Sequence, residues 1–418
     1  MRVGWKPQPR PAWADALNAM GGNLAAGPAS LLPLEQEELL ATACEATGLK
    51  DFGDDWFREG LGRYLASLRD EAELNTCGRL MARQDVLRLL ENRLLMQQHR
   101  RQSGQAGEGA DSRDDSPLIV TGFARTGTTF LHELLACDSR HRSFSLAELM
   151  YPFSPVGNDH ANALLERVAT EATFMDLLYP GFKAMHDNAA DLPTECIFAF
   201  AHEFASDLFV GAHEIPSYAA WLATTDLLPA YRAHRQFLRL LAGPDDDRSW
   251  LLKAPSHLNS LGALFGVYPA ARVVVTHRDP LAVIASLADL MAALRWMRSD
   301  RVDYQALVAQ MVGGYGWLAE QALVKRRELG EHEDQVVDLL YTDLVDDPAA
   351  AVMSLYEGWD MDTPAGLGES LRALVESRPR HRHGRHHYDF SDTGLDVADE
   401  RGRFSNYQEH FGVASELD

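Results

Sequence analysis

Cysteine is scarce in this chain, with four in 418 residues. Cys44, Cys77, Cys137 and Cys196 lie too far apart for a Cys-x-x-Cys pair, which excludes a zinc ribbon or a disulfide framework and makes a reducing cytoplasm the expected compartment. Long apolar runs are missing too. No stretch of 18 uninterrupted apolar residues occurs, and the opening MRVGWKPQPRPAWADAL lacks the hydrophobic segment of a secretory leader, so neither secretion nor an integral membrane segment is expected. Positive charge is in deficit. Thirty-nine Lys and Arg stand against 61 Asp and Glu, a formal charge of −22, which argues against a nucleic-acid-coating protein and against a general binder of anionic membranes. Any highly charged anionic ligand therefore needs a locally basic pocket.

What is present suits a folded chain: 46% hydrophobic and 24% charged residues are ordinary values for globular proteins. The length allows roughly two to three domains, or one α/β unit with helical additions. Phe57, Leu61, Tyr64, Leu65 and Leu68 recur at helical spacing, as do Leu80, Leu87, Leu90 and Leu94, and Leu34–Leu49 is a third helical segment. The polar stretch QSGQAGEGADSRDDS at 102–116 then reads as a connector. An N-terminal helical region over 1–110 and an α/β domain over 117–418 are thus expected, with a mostly helical insertion around 144–235.

Short apolar runs at 117–121, 250–254, 272–276 and 335–341, separated by helical lengths, predict a parallel central sheet covered by helices on both faces. The first run leads into Gly122-Phe-Ala-Arg125-Thr126-Gly127-Thr128-Thr129, a G-x-x-x-x-G frame between strand and helix. Open N–H groups and the helix dipole make such a loop a phosphate cradle. A Walker loop carries Lys after the second glycine, and Thr128 stands there instead, so a triphosphate is not the obvious ligand. Arg125 supplies a cation within the loop, suited to a 5′-phosphate group whose bridging oxygen gathers charge as it leaves. After the third run, Asp279 reads as an N-cap and Pro280 as the first helical residue, with Arg278 just outside and Ser286 about two turns in.

Together these elements resemble the sulfotransferase superfamily, which uses 3′-phosphoadenosine 5′-phosphosulfate (PAPS). GFARTGTTFL at 122–131 is similar to that family's 5′-phosphosulfate loop in its arginine-bearing form, and Arg278 and Ser286 match its 3′-phosphate pair with the same eight-residue offset. Tyr341-Thr-Asp-Leu-Val-Asp-Asp-Pro348 resembles its common strand and turn. Asp51–Phe57 and the tail from Arg385 through Phe404 and Phe411 are similar to a bacterial branch, so the likeness spans most of 50–412.

The resemblance implies a P-loop-like α/β fold and transfer of a sulfuryl group from PAPS to a hydroxyl of a small lipophilic or aromatic acceptor, with no metal. Gly127, Thr126, Thr128, Thr129 and Arg125 would hold the 5′ end. Lys253 and His257, in Leu252-Lys253-Ala-Pro-Ser-His257-Leu258, occupy the place of the family's catalytic Lys and His, although three residues separate them here rather than one. An imidazole with an ordinary pKa near 6.5 suits a general base. Glu195 is the rival base, with His186, His202 and Glu203 as further acids and histidines nearby. The run Arg378–His387, with four Arg and four His, reads as a solvated basic stretch, a metal site of no standard spacing, or a loop that brings Arg385 to the 3′-phosphate. Phe153, Phe174, Phe182, Phe198 and Phe204 are candidates to line the acceptor pocket. A P-loop nucleotide kinase or NTPase and a catalytically silent nucleotide-binding protein are the competing readings. The expected partner is a small hydroxyl acceptor, and oligomeric state, a homo-oligomer included, is left open.

Overall fold

The computed structural model describes residues 5–25, 27–103, 116–153, 161–185, 190, 192–242, 246–377 and 390–417. Among these, five strands form a parallel sheet: β1 (Leu118–Gly122), β2 (His141–Arg142), β3 (Ser249–Lys253), β4 (Arg272–His277) and β5 (Val336–Leu340). Their order is β2-β3-β1-β4-β5. Four of them fall within a residue or two of the apolar runs that predicted them. β2 has two residues, one His and one Arg, and carries no hydrophobic signal.

The strands read as continuous apolar runs because both faces are covered. β1 is buried at all five positions. Successive side chains alternate across the pleat, so Ile119, Leu252, Val273 and Val275 enter one hydrophobic cluster and Leu118, Val120, Leu251 and Val274 the other. The second cluster is completed by helices Thr128–Leu135 and Pro348–Gly358.

The first cluster also takes Leu39, Leu61, Leu65 and Leu90 from helices Gln36–Thr47, Phe57–Asp70 and Thr76–Gln102, so the N-terminal helices share a core with the sheet. Arg93 fastens them further. It donates to Phe52 O at 3.0 Å and His202 O at 3.0 Å, and forms a buried ion pair with Glu203. His202 and Glu203 are thereby structural, and neither lines the large cavity described below.

The predicted helix start after β4 is observed. Asp279 accepts from Leu281 N–H at 3.0 Å and Pro280 opens the helix Pro280–Arg298. This helix is long and apolar enough to cross a membrane by composition, yet two thirds of it (67%) is buried within the protein. The C-terminal segment clasps the end of β4. Tyr407 OH lies 2.7 Å from His277 Nδ1, the Phe411 ring stacks on His277 with centroids 4.0 Å apart, and Arg401 bonds Asp279 at 2.7 Å.

Candidate active site

The central position of β1 decides where a ligand can bind. The strand is flanked by β3 and β4, and in a parallel sheet of this order ligands bind in the crevice outside the C-terminal ends of the strands, at the switch point. Gly122, at the end of β1, has φ +139° and pairs with Thr276 of β4; a Cβ there would fall 2.4 Å from Thr276 O, so glycine is required. Gly127, at φ +87°, precedes helix Thr128–Leu135 with no side-chain cap, leaving first-turn N–H groups open to the crevice.

Arg125 also adopts a left-handed φ, +66°, a conformation that costs a non-glycine residue about 1 kcal/mol or more. The turn aims its guanidinium at the helix after β4, where Nε donates to Ser286 Oγ at 3.1 Å and Nη1 to Met185 O at 3.5 Å. Thr126 points the other way. Its hydroxyl is fully buried, donates to Phe123 O at 2.6 Å and lies 2.6 Å from Thr276 Oγ1, so this side chain fastens the loop to β4 and does not line the crevice. Thr128 and Thr129 do line it.

Arg278, one residue beyond β4, donates from Nη1 to Arg125 O at 3.0 Å and lies over the Tyr341 ring at 4.2 Å. Arg125, Ser286 and Arg278, taken from two sequence elements, thus form one cluster. A further member, Glu416, belongs to no motif. Its carboxylate grips Arg278 through both oxygens, at 2.7 and 2.8 Å, while its backbone N–H donates to Asp279 at 2.8 Å.

On the other side of β1, Lys253 ends β3. Its ammonium is 2% exposed and donates to Glu195 Oε1 at 2.5 Å and Thr129 Oγ1 at 3.1 Å. Glu195 reaches it because Cys196 N–H donates to Lys253 O at 2.8 Å and Thr194 N–H to Phe144 O at 3.1 Å, which lays the 194–196 segment along the strand end. His257 does not join them. It is buried, its Nδ1 lies 2.6 Å from Tyr231 OH, and burial pushes its pKa down to about 3, so the imidazole is held neutral in the core. It is not among the residues facing the cavity.

Asp207 is a carboxylate that no motif announced. Its side chain is exposed to the same cavity that Glu195 faces, and it is hydrogen-bonded by Ser256. Burial first, and then the charge of Glu195, raise its pKa to about 6. The cavity itself measures about 2010 Å³ and runs from Arg278 and the glycine loop to helices Thr76–Gln102 and Asp207–Ala212. Phe174, Phe182 and Phe198 line it, whereas Phe204 is buried in the core and Phe153 stacks on His99 at 4.6 Å. His186 and the basic run with Arg385 lie outside the described residues.

Comparisons with known proteins agree with this geometry. The sequence profile described as the sulfotransferase family matches residues 117–365, more than half of the chain. Proteins named omega-hydroxy-beta-dihydromenaquinone-9 sulfotransferase Stf3, from Mycobacterium bovis and Mycobacterium tuberculosis, are each 26% identical over 248 residues, 58% of this chain and 62% of the relative's length. Among solved structures, sulfotransferase STF1 of Mycobacterium tuberculosis H37Rv superposes with a TM-score of 0.77 at 29% identity, covering 89% of this chain and 98% of that one. Sulfotransferase STF9 of Mycobacterium avium gives 0.80 at 23% identity, over 92% and 98%, a likeness of fold. With the glycine loop, the basic elements and the profile match over 117–365 all falling on the same sheet, the chain belongs to the sulfotransferase family.

Proposed function

We propose that this protein transfers a sulfuryl group from PAPS to a hydroxyl of a lipophilic acceptor. The observation that carries the reading is the Lys253–Glu195 pair at 2.5 Å, opening on the same cavity as the Arg125–Ser286–Arg278 cluster. The donor set suits an adenine nucleotide with phosphates at both ends of its ribose. Open N–H groups of residues 127–129, Arg125 and Thr128 would hold the 5′ end, and Arg278 with Ser286 the 3′-phosphate. Glu416 already holds Arg278 in the two-oxygen geometry a phosphate would use. When bound, PAPS supplies an electrophilic sulfuryl group and leaves as adenosine 3′,5′-bisphosphate.

The chain's own residues divide the work. Glu195 takes the proton of the acceptor hydroxyl, because its carboxylate faces the cavity while the His257 imidazole is turned into the core. Lys253, charged and almost fully buried, holds Glu195 in place and stabilises negative charge as it builds on the departing oxygen. The mainly apolar cavity wall excludes water and receives the acceptor's hydrocarbon. The name of the mycobacterial relatives, which specifies a hydroxylated menaquinone, supports an acceptor of lipophilic character. The scarcity of cysteine, with Cys77 and Cys196 buried, fits a reducing cytoplasm.

The test is a thermal-shift titration followed by a product assay. Adenosine 3′,5′-bisphosphate without Mg²⁺ should raise Tm in proportion to RT ln(1 + [L]/Kd), and ATP with Mg²⁺ should not. With PAPS present, a hydroxyl-bearing lipid extract should yield a product heavier by one sulfuryl group. Stabilisation by ATP and Mg²⁺ alone would replace the reading with a nucleoside triphosphate enzyme.

A further inference from the structure

The far end of the cavity holds two charges that sulfuryl transfer does not use. Arg295 and Arg298 belong to the last two turns of helix Pro280–Arg298, and both line the cavity although they are only 6% exposed. Arginine at a helix C-terminus is ordinary on a surface, where it complements the helix dipole. Buried, it is costly. Removing a guanidinium from water costs several kcal/mol unless a carboxylate meets it with hydrogen bonds.

No such carboxylate is in place among the described residues. Arg295 comes no closer than 3.6 Å to Glu214, and its Nε has no partner. Arg298 donates from Nη1 to Leu294 O of its own helix at 2.9 Å, and its Nε is likewise unpartnered. Asp85 attracts Arg298 electrostatically, but its Oδ1 is already bonded by Arg88 at 2.9 Å. His213 adds no anion: it is buried, and burial together with the two arginines pushes its pKa well down. Arg88, Arg295 and Arg298 all line the cavity, Asp85 is already bonded by Arg88, Glu214 is not part of the lining, and burial lowers the pKa of both Arg295 and Arg298.

The same helix links this end to the nucleotide. Ser286 touches Arg125, and Leu287, Leu290, Met291 and Leu294 then line the cavity at helical spacing before Arg295 and Arg298. At about 1.5 Å per residue, the two arginines lie about 14 and 18 Å along the helix from Ser286. One wall thus presents a polar end, an apolar stripe and a cationic end. We infer that the acceptor is an amphiphile with two functional ends: a hydroxyl delivered to Glu195 and Lys253, and a carboxylate held by Arg295 and Arg298 across the apolar stripe. This rests on the functional reading above for its hydroxyl end, whereas the carboxylate subsite stands on the arginine pair alone.

Calorimetric titration of the full chain with 12-hydroxydodecanoate and with its methyl ester tests it, because the two differ only in the charge at one end. The acid is expected to bind about tenfold or more tightly than the ester, the size of a charge-assisted hydrogen bond in a buried site. Arg298→Gln should reduce that ratio, and Arg295→Gln with Arg298→Gln should abolish it while leaving the affinity for adenosine 3′,5′-bisphosphate at its original value. Equal binding of acid and ester by the unaltered protein, or no binding of either, overturns the inference without recourse to any variant. An acid preference in a protein that the bisphosphate fails to stabilise would keep the arginine subsite and remove the sulfuryl-transfer reading.

Discussion

The two ends of the cavity carry similar charge and treat it in opposite ways. At the sheet end, each named cation has an internal partner: Arg125 meets Ser286, Arg278 meets Glu416 and Lys253 meets Glu195. At the far end, Arg295 and Arg298 are buried, unlike the exposed Arg125 and half-buried Arg278, yet lack a hydrogen-bonded carboxylate among the described residues. A site that exchanges a soluble anionic nucleotide at every turnover benefits from a protein anion that can take its place between turnovers. A subsite that orients an acceptor benefits from charge left open, since the ligand then gains the full value of the pairing.

The largest effect that can break this contrast concerns the proton. Glu195→Gln removes the proposed base while preserving its shape, and turnover should fall by about 10²- to 10⁴-fold, the usual worth of general base catalysis. Bisphosphate affinity should change little. His257→Phe should keep most of the turnover and lower Tm, because His257 bonds Tyr231 within the core and does not face the cavity. Single-turnover rates and melting curves on both variants decide it. If His257→Phe loses turnover and Glu195→Gln does not, the base is the histidine and the Glu195–Lys253 pair is structural.

The next effect bears on Arg278 and its internal anion. Arg278→Ala should weaken adenosine 3′,5′-bisphosphate by about 10- to 100-fold, as for a lost charge-assisted pair, and leave 5′-AMP nearly unaffected. Glu416→Gln should act in the opposite direction, tightening the bisphosphate several-fold by removing the carboxylate that occupies Arg278. Titration of both nucleotides against both variants reads the two signs. Equal loss of bisphosphate and 5′-AMP in Arg278→Ala would mean that this arginine does not read the 3′-phosphate.

The same contrast explains what could be read in advance. The sheet-end motifs are local: a strand, a G-x-x-x-x-G turn, and an arginine before an Asp-Pro helix start each lie within about ten residues, so their geometry follows from short-range rules. Even there, the direction of a side chain was not legible. Thr126 turned into the protein and Thr128 toward the crevice because the bonds to Phe123 and Thr276 choose between them, and Thr276 is 150 residues away. His257 looked suited to proton transfer by residue type, but the 3-10 turn Pro255–Ser260 directs it at Tyr231. The acceptor end has no motif. Asp85, His213, Arg295 and Arg298 come from three separate helical segments and meet only in the folded chain, and β2 was missed because two polar residues make no periodic pattern.

The smallest effect probes the boundary between the two ends, where Asp207 faces Glu195. Its pKa is raised to about 6 from 3.8, so between these values the folded protein keeps a proton that the unfolded chain has released. Stability from this group is complete below about pH 4, declines as pH rises through about 6, and stays level above it. Asp207→Asn removes the titrating group and should flatten that decline. The Tm difference between the variant and the unaltered protein should be small at pH 4 and grow in the variant's favour to a plateau above pH 6. Buried carboxyl groups elsewhere, such as Glu203, titrate in both proteins and cancel in the difference. A difference that does not vary with pH would mean that Asp207 carries an ordinary solvated charge. The low-dielectric surroundings required to strengthen pairing at both ends of the cavity would then be absent from its middle.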